Sequence, residues 1–215
     1  MYTCASCEKH SCRTGNLDEA PKNCPCNEED EQNEIKEQYL NPEIFKLAHN
    51  SALVESEGYC KKTRLEEIID FAQKCGFNRL GVAFCLGLCN EAEIFCSILR
   101  SHGFEVSSVI CKNGGIPKEY LNIDDSQKVH PGTFEPMCNP IGQATFLNHS
   151  ETQLNILLGL CVGHDSLFIK YSNAPVTVFA VKDRVLAHNP LGAVYLAQGY
   201  YKDKLAPSHS TEKES

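Results

Sequence analysis

The fold is decided by the run LNILLGL at Leu154–Leu160, which ends in CVGHD at Cys161–Asp165. An almost entirely apolar run of this length is typical of a strand buried on both faces of a parallel sheet. A structural cysteine would lie inside such a run. Cys161 instead follows it, where backbone amides and solvent become available. The stretch therefore predicts a central strand with a chemically accessible cysteine at its end.

The same arrangement recurs along the chain on both sides of this strand. The apolar runs RLGVAF and FEVSSVI end at Cys85 and Cys111, and a fourth run, VTVFAV, follows Pro175. Helical patterns lie between the runs, and Cys138 comes just before one of them, IGQATFLNHS. Alternating strands and helices predict an α/β fold with a doubly wound, mostly parallel sheet.

Helix ends are predicted from capping residues. Pro42 after Asn41 suits the start of a helix, and a second helical pattern covers Thr63 to Lys74. We expect Asn90 to cap the helix that follows Cys85, and Asp165 to cap the helix that follows Cys161.

Charge and apolar patterning exclude several classes of protein. The 215-residue chain has a net charge of -8 and no basic stripe, so we expect no nucleic-acid partner. No apolar run approaches the roughly 20 residues that span a bilayer, and the first residues lack the apolar core of a secretory signal. We therefore expect no membrane partner and a cytoplasmic location.

Cysteine is the unusual residue, with 13 copies. In a reducing cytoplasm an odd number of cysteines favours metal binding or catalysis over a disulfide framework. The segment 1–34 is polar and has too little apolar surface to fold without a staple. A tetrahedral metal site would suit its cysteines, which form a CxxC pair, a lone cysteine and a CxC pair. The preferred ligands are Cys4, Cys7, Cys12 and Cys24.

Zinc suits this N-terminal module because it is redox-inert and tolerates a short irregular chain. An iron-sulfur cluster is the alternative, because four thiolates also hold a cubane. Cys26 and His10 are substitute ligands. The predicted organisation is a metal-binding module at 1–34, an α/β domain at 35–205, and a disordered tail at 206–215.

The strand-end cysteines predict a second site. The carboxyl ends of parallel strands meet at one edge of a sheet, where ligands bind, and helix N-termini there stabilise thiolates. We expect convergence of Cys85, Cys111, Cys138 and Cys161, with Cys89 as a substitute for Cys85. Lys112 and Lys182 also follow strands, and Lys112 is either a cation at this edge or a turn residue. Cys75 and Cys96 are expected in packing positions.

Six motifs together resemble a known family. They are CASCEKHSC, FCLGLCNEAEIF, SVICKNGG, MCNPIGQATFLN, LNILLGLCVGHDSLF and APVTVFAVKDRVLAHNP. In this order they resemble the bacterial and archaeal cysteine-rich proteins grouped as domain of unknown function 1847, which carry a metal-binding label. The resemblance implies that both sets of cysteines are ligands, and it implies neither a particular metal nor a reaction.

Three hypotheses of function follow, and whether the protein is an enzyme stays open among them. The first is a metal-binding protein with zinc or an iron-sulfur cluster in the module and an iron-sulfur or soft-metal site at the sheet edge. It would bind metal ions and pass electrons to a redox partner protein. The second is a thiol enzyme with Cys161 as the nucleophile, activated by His164 or His188, and with a small electrophile as substrate. The third is a non-catalytic metal sensor or carrier. Instead of activating Cys161, His164 would be a loop residue and His188 a turn residue.

Overall fold

The chain divides into two units in a computed structural model that describes residues 1–207. The first unit is Met1–Lys62 and the second begins at Thr63. The tail predicted at 206–215 lies outside the described residues from 208 onward. Among the described residues, no helix is long and apolar enough to cross a membrane.

The first unit begins with short turns and ends with longer helices. Its helices are α1 (Ser11–Thr14), α2 (Glu29–Gln38) and α3 (Pro42–Gly58). As predicted, Pro42 begins α3 and Asn41 caps it, accepting hydrogen bonds from the amides of Glu43 and Ile44. The unit thus extends beyond the cysteine-rich segment 1–34 and includes two helices that carry no cysteine.

The second unit alternates helices and strands. Its elements are α4 (Arg64–Lys74), β1 (Arg79–Phe84), α5 (Cys89–Ser101), β2 (Glu105–Ile110), α6 (Pro140–His149), β3 (Leu154–Leu160), α7 (His164–Tyr171), β4 (Val176–Val181), α8 (Leu191–Tyr195) and α9 (Lys202–Leu205). The four apolar runs of the sequence are these four strands.

The sheet has the order β2-β1-β3-β4 and all of its strand pairs are parallel. The predicted α/β class with a doubly wound, parallel sheet is therefore confirmed. Phe84 pairs with Ile110 on one side and with Leu158 on the other, so β1 and its neighbours end at nearly the same level. The chain reverses its direction across the sheet between β1 and β3, and such a switch point is where open α/β sheets bind ligands.

Each face of the sheet is covered by a helix pair and has its own apolar core. On one face α4 and α5 pack against residues such as Leu80, Val82 and Ile156. On the other face α6 and α7 pack against Ala83, Leu157 and their neighbours. Every residue of β3 is buried, as the continuous apolar run at Leu154–Leu160 predicts.

Two predicted helix caps are wrong. Helix α5 begins at Cys89 with Leu88 in the capping position, so Asn90 already lies inside its first turn. Helix α7 begins at His164 after Gly163, whose φ of 82° is reached easily by glycine. The carboxylate of Asp165 therefore lies within the first turn and accepts the amide of Ser166 at 2.8 Å.

Candidate functional site

Three cysteines from separate segments meet at the carboxyl edge of the sheet. Cys85 follows β1, Cys111 follows β2, and Cys138 comes just before α6. The thiol of Cys111 lies between the other two and hydrogen-bonds with both. We call Cys85, Cys111 and Cys138 the thiol cluster.

Backbone hydrogen bonds fix the thiol cluster to the sheet. The amide of Cys85 donates to Leu158 O at 3.2 Å, and the amide of Cys111 donates to Phe84 O at 2.9 Å, which extends the strand pairing by one residue. The amide of Asn139 donates to Cys111 O at 2.7 Å. This last bond brings Cys138 beside Cys111, although 26 residues separate them in the sequence.

A buried amide lies beneath the thiol cluster. Gln143 is fully buried in α6, and its Nε2 donates to Phe84 O at 3.1 Å and Val109 O at 2.7 Å. It therefore joins the ends of β1 and β2, which carry Cys85 and Cys111.

The three thiols do not hold their protons equally. Hydrogen bonding to Cys111 lowers the pKa of Cys85 to about 5, helped by the Gly87 amide and by Lys182, and burial opposes this shift. Hydrogen bonding to Cys111 also lowers the pKa of Cys138, to about 4. The bonds to Cys138 and Cys85, together with burial, raise the pKa of Cys111. These shifts favour thiolates at Cys85 and Cys138 on either side of a protonated Cys111.

Cys138 has a second partner, the ring of His164 at the start of α7. Their hydrogen bond helps to lower the pKa of Cys138 and is the main reason why the pKa of His164 is raised. Both shifts favour a thiolate paired with an imidazolium, the arrangement that activates cysteine nucleophiles. Cys138 also lies just before the N-terminus of α6, whose partial positive charge favours the thiolate further.

Basic side chains surround the thiol cluster. Lys112 lowers the pKa of Cys138 through its charge, and its Nζ donates to Pro136 O at 2.6 Å. Lys182, the first residue after β4, hydrogen-bonds to Cys85. Arg184 donates from Nη2 to Cys161 Sγ at 3.3 Å, and its charge interacts with Cys85 and Cys138 as well. The hydrogen bond to Cys161 is the main reason why the pKa of Arg184 is raised.

The remaining residues predicted for this edge have different surroundings. Cys161 is half-buried, and its sulfur contacts Arg184. His188 lies in the turn after β4, where its Nδ1 accepts the amide of Asp183 at 3.1 Å. Cys89 is exposed and lines a separate groove with Cys96 and Arg100. Cys75 and Cys96 are buried, as packing residues should be.

The N-terminal cysteines gather within the first unit. Cys26 hydrogen-bonds to Cys24, and this bond, with burial and the charges of Cys12 and Cys4, raises the pKa of Cys26. Cys4, Cys7 and Cys24 line a hollow of about 280 Å³. Asn23 connects the two cysteine segments by donating to Thr3 Oγ1 at 2.7 Å. Cys26, expected only as a substitute, thus lies within the group, while the ring of His10 contacts Glu8 O.

Neither group of thiols forms a compact metal site as it stands. Within residues 1–207, no three His, Cys, Asp or Glu side chains are arranged so that they could hold a metal ion. The thiol cluster combines thiolates, a proton donor and cations, which are the components of nucleophilic chemistry.

Sequence reasoning missed two features of this site. The side-chain partner of His164 is Cys138 rather than Cys161. The loop at 112–137 brings Cys138 back to the sheet edge in a way that no local pattern shows. Arg184 was also missed. It is the third residue after the run VTVFAV, so applying the strand-end argument to the fourth strand would have found it.

Comparison with known proteins gives a family and a relative. The family model described as "Protein of unknown function (DUF1847)" matches residues 24–179. An uncharacterised protein of Methanocaldococcus jannaschii is 49% identical over 202 residues, which cover 94% of this chain and 97% of the relative. No solved structure matches the chain.

Proposed function

The chain belongs to the DUF1847 family of proteins of unknown function, and on that premise we propose that its thiol cluster performs nucleophilic thiol chemistry on a small electrophile. Cys138 is the nucleophile and His164 its partner. The observation that carries this proposal is the contact between their side chains, which lie at the starts of two different helices.

The proposed step is a nucleophilic displacement. The thiolate sulfur of Cys138 supplies the electron pair for a new bond to the electrophilic atom of the substrate. The leaving group departs with the electrons of the bond that breaks, and the imidazolium of His164 gives it a proton. The Cys111 thiol stabilises the Cys138 thiolate before attack by donating a hydrogen bond.

This proposal replaces one residue of the thiol-enzyme hypothesis drawn from the sequence. That hypothesis used Cys161 as the nucleophile, whereas the described contact of the Cys161 sulfur is with Arg184. Cys161 stays a candidate ligand in the metal hypothesis below.

The test is site-resolved alkylation of the full-length protein with iodoacetamide at neutral pH. Mass spectrometry measures the rate at each cysteine, with the exposed thiol of Cys60 as the internal reference. We expect Cys138 to react faster than Cys60 although it is half-buried. Substitution His164→Asn should slow labelling at Cys138, while His149→Asn, which changes an exposed histidine of α6, should not. If Cys138 reacts no faster than Cys60, the proposal is wrong.

The second candidate function is metal binding, and the close approach of the thiols supports it. Cys85, Cys111 and Cys138 are in contact, and Cys161 follows the neighbouring strand. These four thiols would supply the ligands of a soft metal or an iron-sulfur cluster only after their side chains turned toward one point, since no three of them are arranged to hold a metal as they lie. Such a centre would supply electron transfer toward a redox partner protein. The gathered N-terminal cysteines would hold zinc or an iron-sulfur cluster in the first unit.

Metal analysis separates these hypotheses. Iron, zinc and acid-labile sulfide are measured after purification without oxygen, in the unaltered chain and in the substitutions Cys111→Ser and Cys24→Ser. A centre at the sheet edge predicts that Cys111→Ser alone removes one set of metal. A centre in the first unit predicts the same of Cys24→Ser. Unchanged metal content in both variants would contradict metal binding at both sites.

A further inference from the structure

Several basic side chains lie at the carboxyl edge of the sheet. Four of them interact with the thiol cluster or with Cys161: Lys112, His164, Lys182 and Arg184. Three of the four are permanently charged at neutral pH. This occurs in a chain whose net charge is -8.

The acidic side chains next to this edge face their own backbone. Asp183 accepts the amides of Val185 and Leu186 at 2.9 and 2.8 Å, which holds the turn that carries Arg184. Asp165 accepts the amide of Ser166 at 2.8 Å, although its charge still reaches His164. Neither carboxylate has a described hydrogen bond to Lys182 or Arg184. These two carboxylates therefore do not occupy the donors of Lys182 or Arg184.

Two glycines lie in the segments that form this edge. If Gly87 carried a Cβ, the nearest atom beyond its two neighbouring residues would be Lys182 Nζ, at 3.7 Å. A Cβ at Gly163, just before α7, would meet no atom within 4 Å. The loop after β1 and the start of α7 thus carry no side chain at these two positions.

We infer that the electrophile attacked at this edge is a small anion, a carboxylate or a phosphate, bound by Lys182 and Arg184 beside the thiol cluster. This inference rests on the proposed function, because it names the substrate class of the same site. The guanidinium of Arg184 offers a planar pair of donors that suits either oxyanion, and the ammonium of Lys182 adds a compact charge. The bound anion would lie next to the sulfur that attacks it.

Two alkylating reagents of nearly the same size test the inference. Iodoacetate is an anion and iodoacetamide is neutral, and with both of them sulfur displaces iodide from a CH₂ carbon. The ratio of their rates at Cys138 cancels the fraction of thiolate, since that fraction affects both rates equally. Dividing by the same ratio at Cys60 removes the intrinsic difference between the reagents.

We expect Cys138 to favour the anionic reagent over the neutral one by roughly tenfold relative to Cys60. This preference should fall several-fold in Lys182→Gln and in Arg184→Gln, and it should fall with added salt in the unaltered protein. The matched control is Lys170→Gln, which removes an exposed charge near the end of α7 and should leave the ratio unchanged. The measurement with added salt uses the unaltered protein, so it tests the inference even if a variant fails to fold.

The outcomes separate the two proposals. Fast labelling of Cys138 by iodoacetamide without any preference for iodoacetate would overturn the inference and leave the proposed function standing. Slow labelling by both reagents would overturn the proposed function, and the inference with it. Inorganic phosphate and acetate then serve as competitors of iodoacetate. The one that protects Cys138 at the lower concentration identifies the oxyanion, and protection by neither counts against an anion site.

Discussion

Asn113 and Asn139 hydrogen-bond to each other across the two segments that carry Cys111 and Cys138. Nδ2 of Asn139 donates to Oδ1 of Asn113 at 3.0 Å, and Nδ2 of Asn113 donates to Asn139 O at 3.0 Å. The two amides thereby close the loop at 112–137 on itself. We expect the contact between Cys111 and Cys138 to depend on this closure.

The substitution Asn139→Ala should weaken both the helix and the thiol cluster. Asn139 caps α6 by accepting the amide of Gly142 at 2.9 Å, and loss of such a cap lowers the free energy of unfolding by about 1 kcal/mol. The loss of the bonds to Asn113 should also slow alkylation of Cys138. Urea unfolding and labelling rates measure the two effects.

The matched control is Asn41→Ala, which removes the cap of α3 in the first unit. It should lower stability by a similar amount and leave labelling of Cys138 unchanged. If both variants slow labelling equally, the paired asparagines have no specific role in positioning the thiols.

The substitution Gly142→Ala should disturb the same pair by crowding. An added Cβ would lie 2.2 Å from Asn113 Oδ1 and 2.5 Å from Asn139 Nδ2, so these amides would have to move. Overpacking of this kind lowers the free energy of unfolding by about 1–3 kcal/mol. Gly192→Ala is the control, because its Cβ would meet only Leu186 and Asn189, at 3.5 Å or more. Equal stability of the two variants in urea would contradict this prediction.

Gly159 sets the path of the chain into Cys161. Its φ is +71°, it lies at the irregular pairing of β3 with β4, and its missing side chain leaves room for Leu88. A Cβ there would lie 2.2 Å from Leu88 Cδ1. We expect Gly159→Ala to lower the free energy of unfolding by about 1–3 kcal/mol, through both strain and crowding.

A second substitution separates these two causes. In the Gly159→Ala protein, Leu88→Ala removes the crowding atom but leaves the strained backbone. The double variant should therefore lose less free energy of unfolding than the two single variants lose together. A double-mutant cycle in urea measures this difference. Strict additivity would mean that Leu88 does not limit the space at Gly159.

The position of the thiols at one edge could be predicted because it needs only the strand pattern. Cys85 and Cys111 each follow an apolar run, and parallel strands end together, so the fold class alone brings these two residues near each other. Cys138 was expected at the same edge because it comes just before a helix. Its direct contact with Cys111 could not be predicted, because it also involves the asparagine pair and the folding back of the loop at 112–137, which join residues far apart in the sequence.

The starts of α5 and α7 could not be predicted well for a related reason. Asn90 and Asp165 are good capping residues by type, yet Leu88 and Gly163 occupy the capping positions. The ends of β1 and β3 determine where the next helix begins, and this tertiary constraint overrides local preference. The displaced start of α7 is also what places His164, rather than Asp165, at the beginning of the helix beside Cys138.

The last prediction concerns how labelling of Cys138 depends on pH. Its pKa is lowered to about 4, mainly through hydrogen bonding to Cys111 and then to His164, so it remains a thiolate throughout the neutral range. An ordinary cysteine has a pKa of about 8.5, and its thiolate fraction falls roughly tenfold for each pH unit below that value. Labelling of Cys138 by iodoacetamide should therefore stay nearly constant from pH 8 down to about pH 6, while labelling of free cysteine falls steeply.

Removal of either His164 or Cys111 should shift the pH dependence of Cys138 labelling to higher pH. His164→Asn removes the charged partner, so the thiolate forms at higher pH and labelling near pH 6 decreases. Cys111→Ala removes the donor that Cys138 and Cys85 share, whereas Cys111→Ser keeps a hydroxyl donor and should shift the profile less. The imidazolium favours the thiolate only below the raised pKa of His164, so the effect of His164→Asn should shrink as the pH rises above that value. A steep fall in labelling of unaltered Cys138 between pH 8 and pH 6 would show that its pKa is not lowered.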